Sequence, residues 1–554
     1  MKKTAKRVLA AALMVTMAVS AAGCGSNGSG QQKTTVGAQT TDAAAVTTAA
    51  VSSGPVKAGY PLTTEKKQLT VYSKNSLSSN IANYNEIAAF DRAAEKLGVE
   101  LVWSHPVSGS ETDQYNLMIA SQDLPDIIFW DFSSTSSKLT GLLDNGSVID
   151  MDPMIRQYAP NYLKALEQDE ILKKQALNDE GKLCAMYKLE PTLERLVTNG
   201  PIMRKDLLDQ YGLEVPMTIE DWYQTLSTFK ANGVEAPLAV CPSSKSTHLY
   251  FTMSAFKTYY SFYADPETDA VTFGPITENY KAWLKELNRW YEAGLIDPEF
   301  NATDRKTLAA NMSNGKSAAG AAALSSGIGN YTRSAKEMIP NYELVGCPWP
   351  VQTEGDTPYV INYEAAVRVG GMGAVVTSSC EDPVLAVQAL DYFYGEEGQD
   401  LMNWGIEGET YTVNADGTKT FTDMVMNAPD GQTPAQVMSK YAMPSQGFTK
   451  TMDFEAWKQI NLSLPEQAEA NKTWAEGDAS MMLPNMELPA EKNDRYNKIM
   501  NEVNTYVEEN QIKFITGSLD IEKEFDKYVE QLKKMDIDTA TAYMQEAYAA
   551  YKNR

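Results

Sequence analysis

The chain has 554 residues and a net charge of −24, with 72 acidic residues against 48 basic ones. This acidity argues against nucleic acid as a partner and against charge-driven binding to an anionic lipid surface. The length is sufficient for two or more lobes of ordinary domain size.

The first residues have the pattern of an export signal. Lys2, Lys3, Lys6 and Arg7 precede an apolar run of about twelve residues, which is too short to span a bilayer comfortably. The run ends in Ala-Ala-Gly followed by Cys24, which resembles the bacterial lipobox, in which the cysteine is lipidated and the signal is cut before it. We therefore predict a signal peptide over residues 1–23 and a lipid anchor at Cys24, with ordinary signal cleavage nearby as the alternative. Removal of the four basic signal residues leaves a net charge of −28.

After Cys24, the chain up to residue 59 consists mostly of Gly, Ser, Thr, Ala and Gln. Such a composition cannot offset the entropy lost on ordering, so we predict a disordered tether over residues 24–59. A flexible chain of about 35 residues has an end-to-end distance of roughly 30–35 Å. This distance would hold the globular body, which we place from residue 60 onwards, close to a membrane.

The start of the body has an alternation of strands and helices. Residues 98–104 alternate apolar and polar side chains, as a half-buried strand does, and residues 126–131 form a short apolar run typical of a buried strand. Residues 113–120, between them, have the composition of a helix. The order strand, helix, strand predicts a parallel sheet in an α/β fold.

Farther along, the helix signals are clear. Thr218, with Asp221 three residues later, predicts a capped helix start, and Asp382 before a proline predicts another. Residues 280–294 place Trp283 and Trp290 on one helical face, which favours a place in the core over contact with a ligand. Four further segments carry recognisable patterns: a buried strand at 374–377, a hairpin turn at 415–417, and helical spacing from 496 to 507 and again from 518 to 551.

Few residues suit catalysis or a metal. His105 and His248 are the only histidines, and neither has the spacing of a metal pair or an identifiable partner for a nucleophile. No phosphate-binding loop has the required spacing. We therefore predict no cofactor and no metal. The surplus of carboxylates leaves a glycosidase open, with Glu407, between two glycines, as its candidate acid.

The cysteines beyond Cys24 are far apart and include no C-x-x-C pair, which argues against a zinc site. One or two disulfides are possible, and the sequence does not decide among the pairings. These cysteines are Cys184, Cys241, Cys347 and Cys380.

Aromatic residues near predicted loops suit sugar rings, because flat ring faces pack against C–H faces while carboxylates and amides bind hydroxyls. Trp130 is favoured among them because it lies at the carboxyl end of a predicted parallel strand, where α/β sheets place their ligands. The candidate ligand contacts are Trp130, Asp131, Arg204, Tyr250, Trp349, Trp404, Glu407 and Tyr411. A structural role is an equal alternative for Glu407.

Several stretches, taken in order, resemble one family. They are Leu124-Pro125-Asp126, Met203-Arg204-Lys205-Asp206-Leu207-Leu208, Ala293-Gly294-Leu295-Ile296-Asp297-Pro298, Leu390-Asp391-Tyr392-Phe393-Tyr394-Gly395-Glu396-Glu397-Gly398, Gly405-Ile406-Glu407-Gly408 and Lys513-Phe514-Ile515-Thr516-Gly517. With the lipobox, they resemble the family 1 extracellular solute-binding lipoproteins of bacterial ABC importers, in the LplA- or LipO-like lineage. The resemblance covers almost all of the chain after the tether.

The resemblance implies a periplasmic-binding-protein fold, with two α/β lobes around a hinged ligand cleft. We place residues 60–190 and 343–410 in lobe 1, and residues 191–342 and 411–554 in lobe 2. The stretch from Trp404 to Tyr411 would then lie where the chain leaves one lobe.

The expected function is that of a lipid-anchored substrate-binding protein on the outer face of a Gram-positive-type cell membrane. It would act as a monomer and not as an enzyme, capture an oligosaccharide by cleft closure and deliver it to membrane permease subunits. A peptide or other solute as ligand, or a role as a sensor, is the main alternative, and a surface glycosidase is the third.

Overall fold

The computed structural model describes residues 55–77, 79–135, 138–428, 431–445 and 447–554. The predicted signal peptide, Cys24 and nearly all of the predicted tether lie outside these ranges. The chain from Gly54 to Arg554 forms a unit of its own.

Strands occupy short segments throughout the body. They are β1 (Lys67–Ser73), β2 (Val99–Ser104), β3 (Ile127–Asp131), β4 (Met186–Leu189), β5 (Asn199–Arg204), β6 (Phe262–Ala264), β7 (Val271–Phe273), β8 (Ala319–Ala323), β9 (Leu344–Gly346), β10 (Val369–Val376), β11 (Tyr411–Val413) and β12 (Lys419–Phe421).

Helices occupy more of the described chain than strands do. The first are α1 (Ala88–Leu97), α2 (Glu111–Ser121), α3 (Lys138–Asp144), α4 (Asp152–Tyr158), α5 (Pro160–Leu166), α6 (Glu170–Ala176), α7 (Leu193–Leu196), α8 (Lys205–Tyr211), α9 (Ile219–Ala231), α10 (Glu278–Glu292) and α11 (Arg305–Ser313). The later ones are α12 (Asn330–Lys336), α13 (Pro383–Tyr392), α14 (Glu396–Asn403), α15 (Asp423–Met426), α16 (Pro434–Met438), α17 (Phe454–Asn461), α18 (Pro465–Ala475), α19 (Ala490–Ile515), α20 (Ile521–Lys534) and α21 (Ile537–Lys552).

The first sheet has the strand order β2-β1-β3-β10-β4. β1 runs parallel to both β2 and β3, which confirms the predicted parallel sheet. β10 enters from far along the chain and pairs antiparallel with β3 and β4. The second sheet has the order β8-β5-β9 and is antiparallel throughout.

The predicted helix starts and core residues are also confirmed. The Thr218 hydroxyl accepts from the Asp221 N–H at 3.1 Å, and the Asp221 carboxylate accepts from the Thr218 N–H at 2.9 Å. Asp382 accepts from the Leu385 N–H. Trp283 and Trp290 are completely buried, because the apolar face of α10 packs on α19.

Each of the two larger sheets belongs to a separate hydrophobic core. The first core contains buried residues of the ranges 69–189 and 369–448, and the second core contains those of 197–365 and 457–540. In the described residues the chain passes between these cores at residues 189–197, 365–369 and 448–457, which we call the crossing segments.

The crossing segments lie side by side and are joined by their backbones. The Leu189 N–H donates to the Lys450 carbonyl, and the Met452 N–H donates to the Leu189 carbonyl, both at 2.9 Å. The Glu190 N–H donates to the Arg368 carbonyl at 2.9 Å. Three adjacent connections of this kind form a hinge between the two cores.

The two cores divide the chain differently from the predicted lobe boundaries. Residues 344–346 pair with β5 of the second sheet, although we placed them in lobe 1. Residues 440–441 accept hydrogen bonds from the backbone at the start of α1, although we placed them in lobe 2. Both contacts are non-local, and hydrophobic periodicity does not say which partner a segment will have.

The described chain begins on the first core and ends against it. The Val56 N–H donates to the Gln157 carbonyl at the end of α4, at 2.8 Å. The ring of Tyr60 packs edge-on against Tyr392, with 5.4 Å between centroids. At the other end, after α21 has packed in the second core, Arg554 forms an ion pair with Asp179 at 2.7 Å.

Candidate functional site

The carboxyl edge of the first sheet faces the hinge. β3 ends at Asp131, and the antiparallel β10 begins at Val369, immediately after a crossing segment. In α/β sheets, ligands bind beyond the carboxyl ends of the parallel strands. The gap between this edge and the second core is therefore the candidate cleft.

Asp131 is held in position at this edge. Its Oδ1 accepts from the Ser133 N–H at 3.1 Å and from the Ser133 hydroxyl at 2.5 Å. Gly371 of β10 lies directly against it, and a Cβ added at Gly371 would overlap Oδ1. Asp131 Oδ2 accepts no hydrogen bond from the described residues, so it remains available to bind a hydroxyl group.

Trp130 has a structural role at this edge, because most of its ring is covered by neighbouring rings. Its ring stacks with Tyr115 at 4.7 Å and with Tyr72 at 5.7 Å between centroids, and the side chain is only 7% exposed. We infer that Trp130 fixes the end of β3 and so orients Asp131.

Tyr363 lies between Ile361 and Ala365 of the second core, just before the crossing segment at 365–369. It is 57% exposed, which is unusual for a tyrosine next to a buried hinge. Partial burial raises the pKa of the Tyr363 hydroxyl, and the nearby carboxyl groups of Glu364 and Asp131 raise it further. Tyr363 and Glu364 in turn contribute to the raised pKa of Tyr260 in the second core, for which burial is the main cause. Tyr363 therefore lies within electrostatic range of residues from both cores.

The second core presents a stack of aromatic rings to the same region. His248 stacks on Tyr250 at 3.9 Å, and Tyr250 stacks on Tyr260 at 4.2 Å between centroids. Tyr250 is buried inside the stack, whereas Tyr260 is partly exposed and has the Lys245 ammonium 4.9 Å from its ring centroid. The ring surface open to a ligand is thus that of Tyr260.

A cluster of charged side chains lies at the crossing segment 189–197. Glu190 is 3% exposed and pairs with Lys188 at 2.7 Å and with Arg195 at 3.7 Å. Arg195 also stacks over Trp457, with 4.9 Å from its guanidinium carbon to the ring centroid. Burial raises the pKa of the nearby Glu364 carboxyl, which Arg195 and Lys188 partly counteract. The two cations of this cluster are therefore occupied by carboxylates.

Two of the predicted ligand contacts lie inside the second core. Arg204 is 4% exposed, donates two hydrogen bonds to Asp206 and lies 4.4 Å from the centroid of the Tyr342 ring. Trp349 is 1% exposed and donates its indole N–H to the Trp474 carbonyl at 2.8 Å. A ligand could not contact either side chain without opening this core, so we leave both out of the site proposed below.

Trp404 and Tyr411 lie in a small satellite core. The Trp404 indole N–H donates to Asp453 at 2.9 Å, and its ring packs against Phe421. Glu407 is exposed and, with Tyr411, lines a shallow surface hollow of about 770 Å³ beside α1 and α14. In the described structure no contact joins these residues to Asp131 or Tyr363, and their role as ligand contacts stays a prediction.

The local backbone conformation explains why Gly405 and Gly408 are glycines. Gly405 has φ of +89° and Gly408 has φ of +78°, a backbone conformation that residues with a side chain rarely adopt. A Cβ at Gly405 would also lie 2.5 Å from the Thr410 hydroxyl oxygen, which bonds to the Trp404 carbonyl. The glycines thus close a tight turn after α14.

Three features of the described residues concern metal sites, membrane-spanning helices and disulfides. The described residues contain no group of three or more His, Cys, Asp or Glu arranged to hold a metal ion. No helix among them is long and apolar enough to cross a membrane. The four cysteines of the body are buried with free thiols, and they are Cys184, Cys241, Cys347 and Cys380.

The chain matches a known family over more than half its length. The family is the bacterial extracellular solute-binding proteins, and the match covers residues 79–400. The two-core architecture with three crossing segments is that of a periplasmic-binding-protein fold. The protein belongs to this family of solute-binding proteins, and the predicted resemblance is confirmed.

Characterised relatives match most of the chain. The fructooligosaccharide ABC transporter substrate-binding protein FusA of Streptococcus pneumoniae is 24% identical over 89% of this chain and 92% of its own. The polygalacturonan/rhamnogalacturonan-binding protein YtcQ of Bacillus subtilis is 23% identical over 83% and 88%. The B. subtilis lipoprotein LipO is 24% identical over 61% and 66%.

Solved structures confirm the fold. FusA in complex with kestose has a TM-score of 0.64 at 20% identity, and covers 88% of this chain and 99% of its own. A solute-binding protein of Bifidobacterium longum infantis, described as binding HMO, has a TM-score of 0.69 at 15% identity with the same coverage.

Sequence reasoning did not find Tyr363, Tyr260 or Glu190. Tyr363 lies in an unremarkable Asn-Tyr-Glu stretch, and only the antiparallel entry of β10 brings that stretch to the edge of the first sheet. A search for an aromatic next to a predicted inter-lobe connection could have found it.

Proposed function

We propose that this protein is the lipid-anchored substrate-binding component of an ABC importer, on the outer face of the membrane. It would capture an oligosaccharide by cleft closure and deliver it to membrane permease subunits. The relatives that bind fructooligosaccharide, polygalacturonan or melibiose-type sugars support a carbohydrate ligand. Cys24 and LipO support the lipid anchor.

The observation that carries the proposal is the position of Tyr363. Its ring is exposed next to the crossing segment at 365–369, and it interacts electrostatically with Asp131 of the first core and Tyr260 of the second. Aromatic faces pack against the C–H faces of a sugar, and carboxylates accept hydrogen bonds from its hydroxyls. A ligand that touches both cores only when the cleft is closed would favour the closed state.

The test is a thermal-shift screen of residues 54–554 against neutral oligosaccharides, uronate oligosaccharides and peptides, followed by calorimetric titration. A ligand that binds only the folded state stabilises it by about 2.7 kcal/mol at a hundredfold excess over its Kd. We expect one class of oligosaccharide to raise Tm and to be recovered uncut. A shift with peptides alone would transfer the proposal to a peptide-binding protein, and shortened glycans would indicate a glycosidase.

A further inference from the structure

A cavity of about 450 Å³ opens next to Asp131. It lies where α3, the loop at 178–180, the start of β10 and the segment 485–489 meet. Ser133 and Gly371, which hold Asp131 in place, form part of its wall. The candidate cleft and this cavity therefore share a wall, and the volume is in the range of small-molecule sites.

The charged lining of the cavity is mainly acidic. Its carboxylates are Asp144, Asp179, Glu180, Glu487 and Asp494, and its cations are Lys138 and Arg554. Arg554 is paired with Asp179, and Lys138 donates to the Ser133 carbonyl. The lining thus has a surplus of hydrogen-bond acceptors and would repel an anionic ligand.

Glu487 has the most direct reason to bind a ligand. It forms no hydrogen bond and no ion pair within 4 Å among the described residues, although burial raises its pKa against the effect of Lys138 and Arg554. The side chain of Asn485 likewise has no hydrogen-bond partner in the described chain. Both side chains are partly buried, and their oxygens can accept hydrogen bonds from hydroxyl donors of a ligand.

The cavity also has apolar surface beside these acceptors. Phe132, Tyr187, Leu488 and Pro489 contribute ring and aliphatic faces. Carbon faces next to carboxylates and amides are the combination that binds a sugar ring.

We propose that this cavity is a distal subsite, which binds the far end of a neutral oligosaccharide whose near end lies at Asp131 and Tyr363. The proposal rests on the proposed function and deepens it, because it assigns the ligand a preferred length and a charge class. Chains long enough to extend from Asp131 into the cavity would gain contacts with Asn485 and Glu487. Uronate chains would gain nothing from this extension.

The test compares ligands of increasing length by calorimetry on residues 54–554. The probes are raffinose, stachyose and verbascose, the fructosyl series from kestose to fructosyl-nystose, maltooligosaccharides, and tri- and pentagalacturonate. We expect the neutral pentasaccharide of the series that binds to exceed its trisaccharide in affinity by about tenfold or more. We expect Asn485→Trp, which fills the cavity, to remove that gain and to leave trisaccharide binding unchanged.

Two further variants complete the test. Glu487→Gln keeps the shape of the side chain and removes its charge, and we expect it to lower only the affinity for the longer chain, by about threefold to tenfold. Asn301→Trp, at an exposed position of the second core outside the cavity, is the matched control and should change neither affinity.

Three results would overturn the subsite while the proposed function stands. They are equal affinity for short and long neutral chains, a length gain that survives Asn485→Trp, and a stronger gain for pentagalacturonate than for neutral chains. Absence of binding by every glycan would instead overturn the proposed function itself.

Discussion

The side-chain amide of Gln175 holds the crossing segment before β10 at both ends of a short turn. Its Oε1 accepts from the Val369 N–H at 2.9 Å, and its Nε2 donates to the Ala366 carbonyl at 2.6 Å. Gln175 belongs to α6 of the first core, and Tyr363 lies three residues before Ala366. One amide of the first core thus fixes the turn that connects the segment of Tyr363 to β10.

We expect Gln175→Ala to destabilise the protein, because it leaves the buried Val369 N–H and the partly buried Ala366 carbonyl without partners. Each unsatisfied group costs about 1–3 kcal/mol. Urea unfolding measures this loss of free energy. Gln531→Ala, on the exposed face of α20, is the control and should be close to neutral.

Gln175→Glu separates the two hydrogen bonds of this amide. The carboxylate keeps the acceptor for Val369 but cannot donate to Ala366, so its pKa should rise above that of an exposed glutamate. A raised pKa contributes stability that is present at low pH and lost as pH rises through the folded-state value. We therefore expect this variant to approach the wild type near pH 4 and to fall below it at pH 7. Parallel stability curves would contradict this assignment.

We expect Tyr363→Ala to lower glycan affinity by about tenfold or more, which corresponds to about 1.4 kcal/mol. Because the ring is 57% exposed, the free energy of unfolding should change little. Tyr363→Phe should keep most of the affinity if the ring face carries the contact. Met338→Ala removes a comparably exposed side chain of the second core and should leave binding intact.

Gly371 and Gly370 offer a matched pair on one strand. Gly371→Ala would force Asp131 and Ser133 to move, whereas the nearest atom to a Cβ at Gly370 is a Val367 methyl at 3.9 Å. We expect Gly371→Ala to lower glycan affinity by about tenfold and Gly370→Ala to leave it near wild type. Equal affinities of the two variants, measured by calorimetry, would remove Asp131 from the site.

His248 should make stability depend on pH. Burial lowers its pKa to about 3, and its Nδ1 accepts from the Leu249 N–H, which only the neutral ring can do. A depressed histidine pKa contributes stability that is present above the unfolded value, near 6.5, and is lost as pH falls towards 3. We expect the wild type to lose about 1 kcal/mol per pH unit in this window relative to His248→Asn. Urea titrations at several pH values measure the difference, and a constant difference would contradict it.

Cys24→Ala tests the anchor. We expect the full chain to remain with the membrane fraction of a Gram-positive host, and the variant to appear in the culture medium at similar total yield. Mass spectrometry of the mature N-terminus should find an acylated cysteine in the wild type alone. Retention of the variant on the membrane would contradict the predicted lipid anchor.

Local signals in the sequence predicted much of the fold. The cap at Thr218, the proline-led start of α13 and the alternation of β2 depend on neighbouring residues, and all were correct. The order of the first sheet was only partly predictable. The insertion of β10 between β3 and β4 joins residues 180 to 249 positions apart, and no local pattern encodes that pairing.

The candidate site was harder to predict than the fold. Trp349 and Trp130 are both aromatics near loops, yet one is inside the second core and the other at the sheet edge. Hydrophobicity indicates that a ring will be covered but not whether protein or ligand covers it. For Tyr363 the difficulty is to predict that the ring stays exposed. Its exposure next to the hinge arises only when the two cores have assembled.

The entry of the chain at Val56 gives the two cores unequal freedom. The Val56 N–H is bonded to Gln157 near the end of α4. An anchor upstream of Val56 would therefore restrain the first core directly, and the second core would move relative to it. With the full chain anchored to a supported bilayer, a fluorophore at Met338 in the second core should then change its distance from the membrane when ligand closes the cleft. One at Glu95 on α1 would stay nearly still.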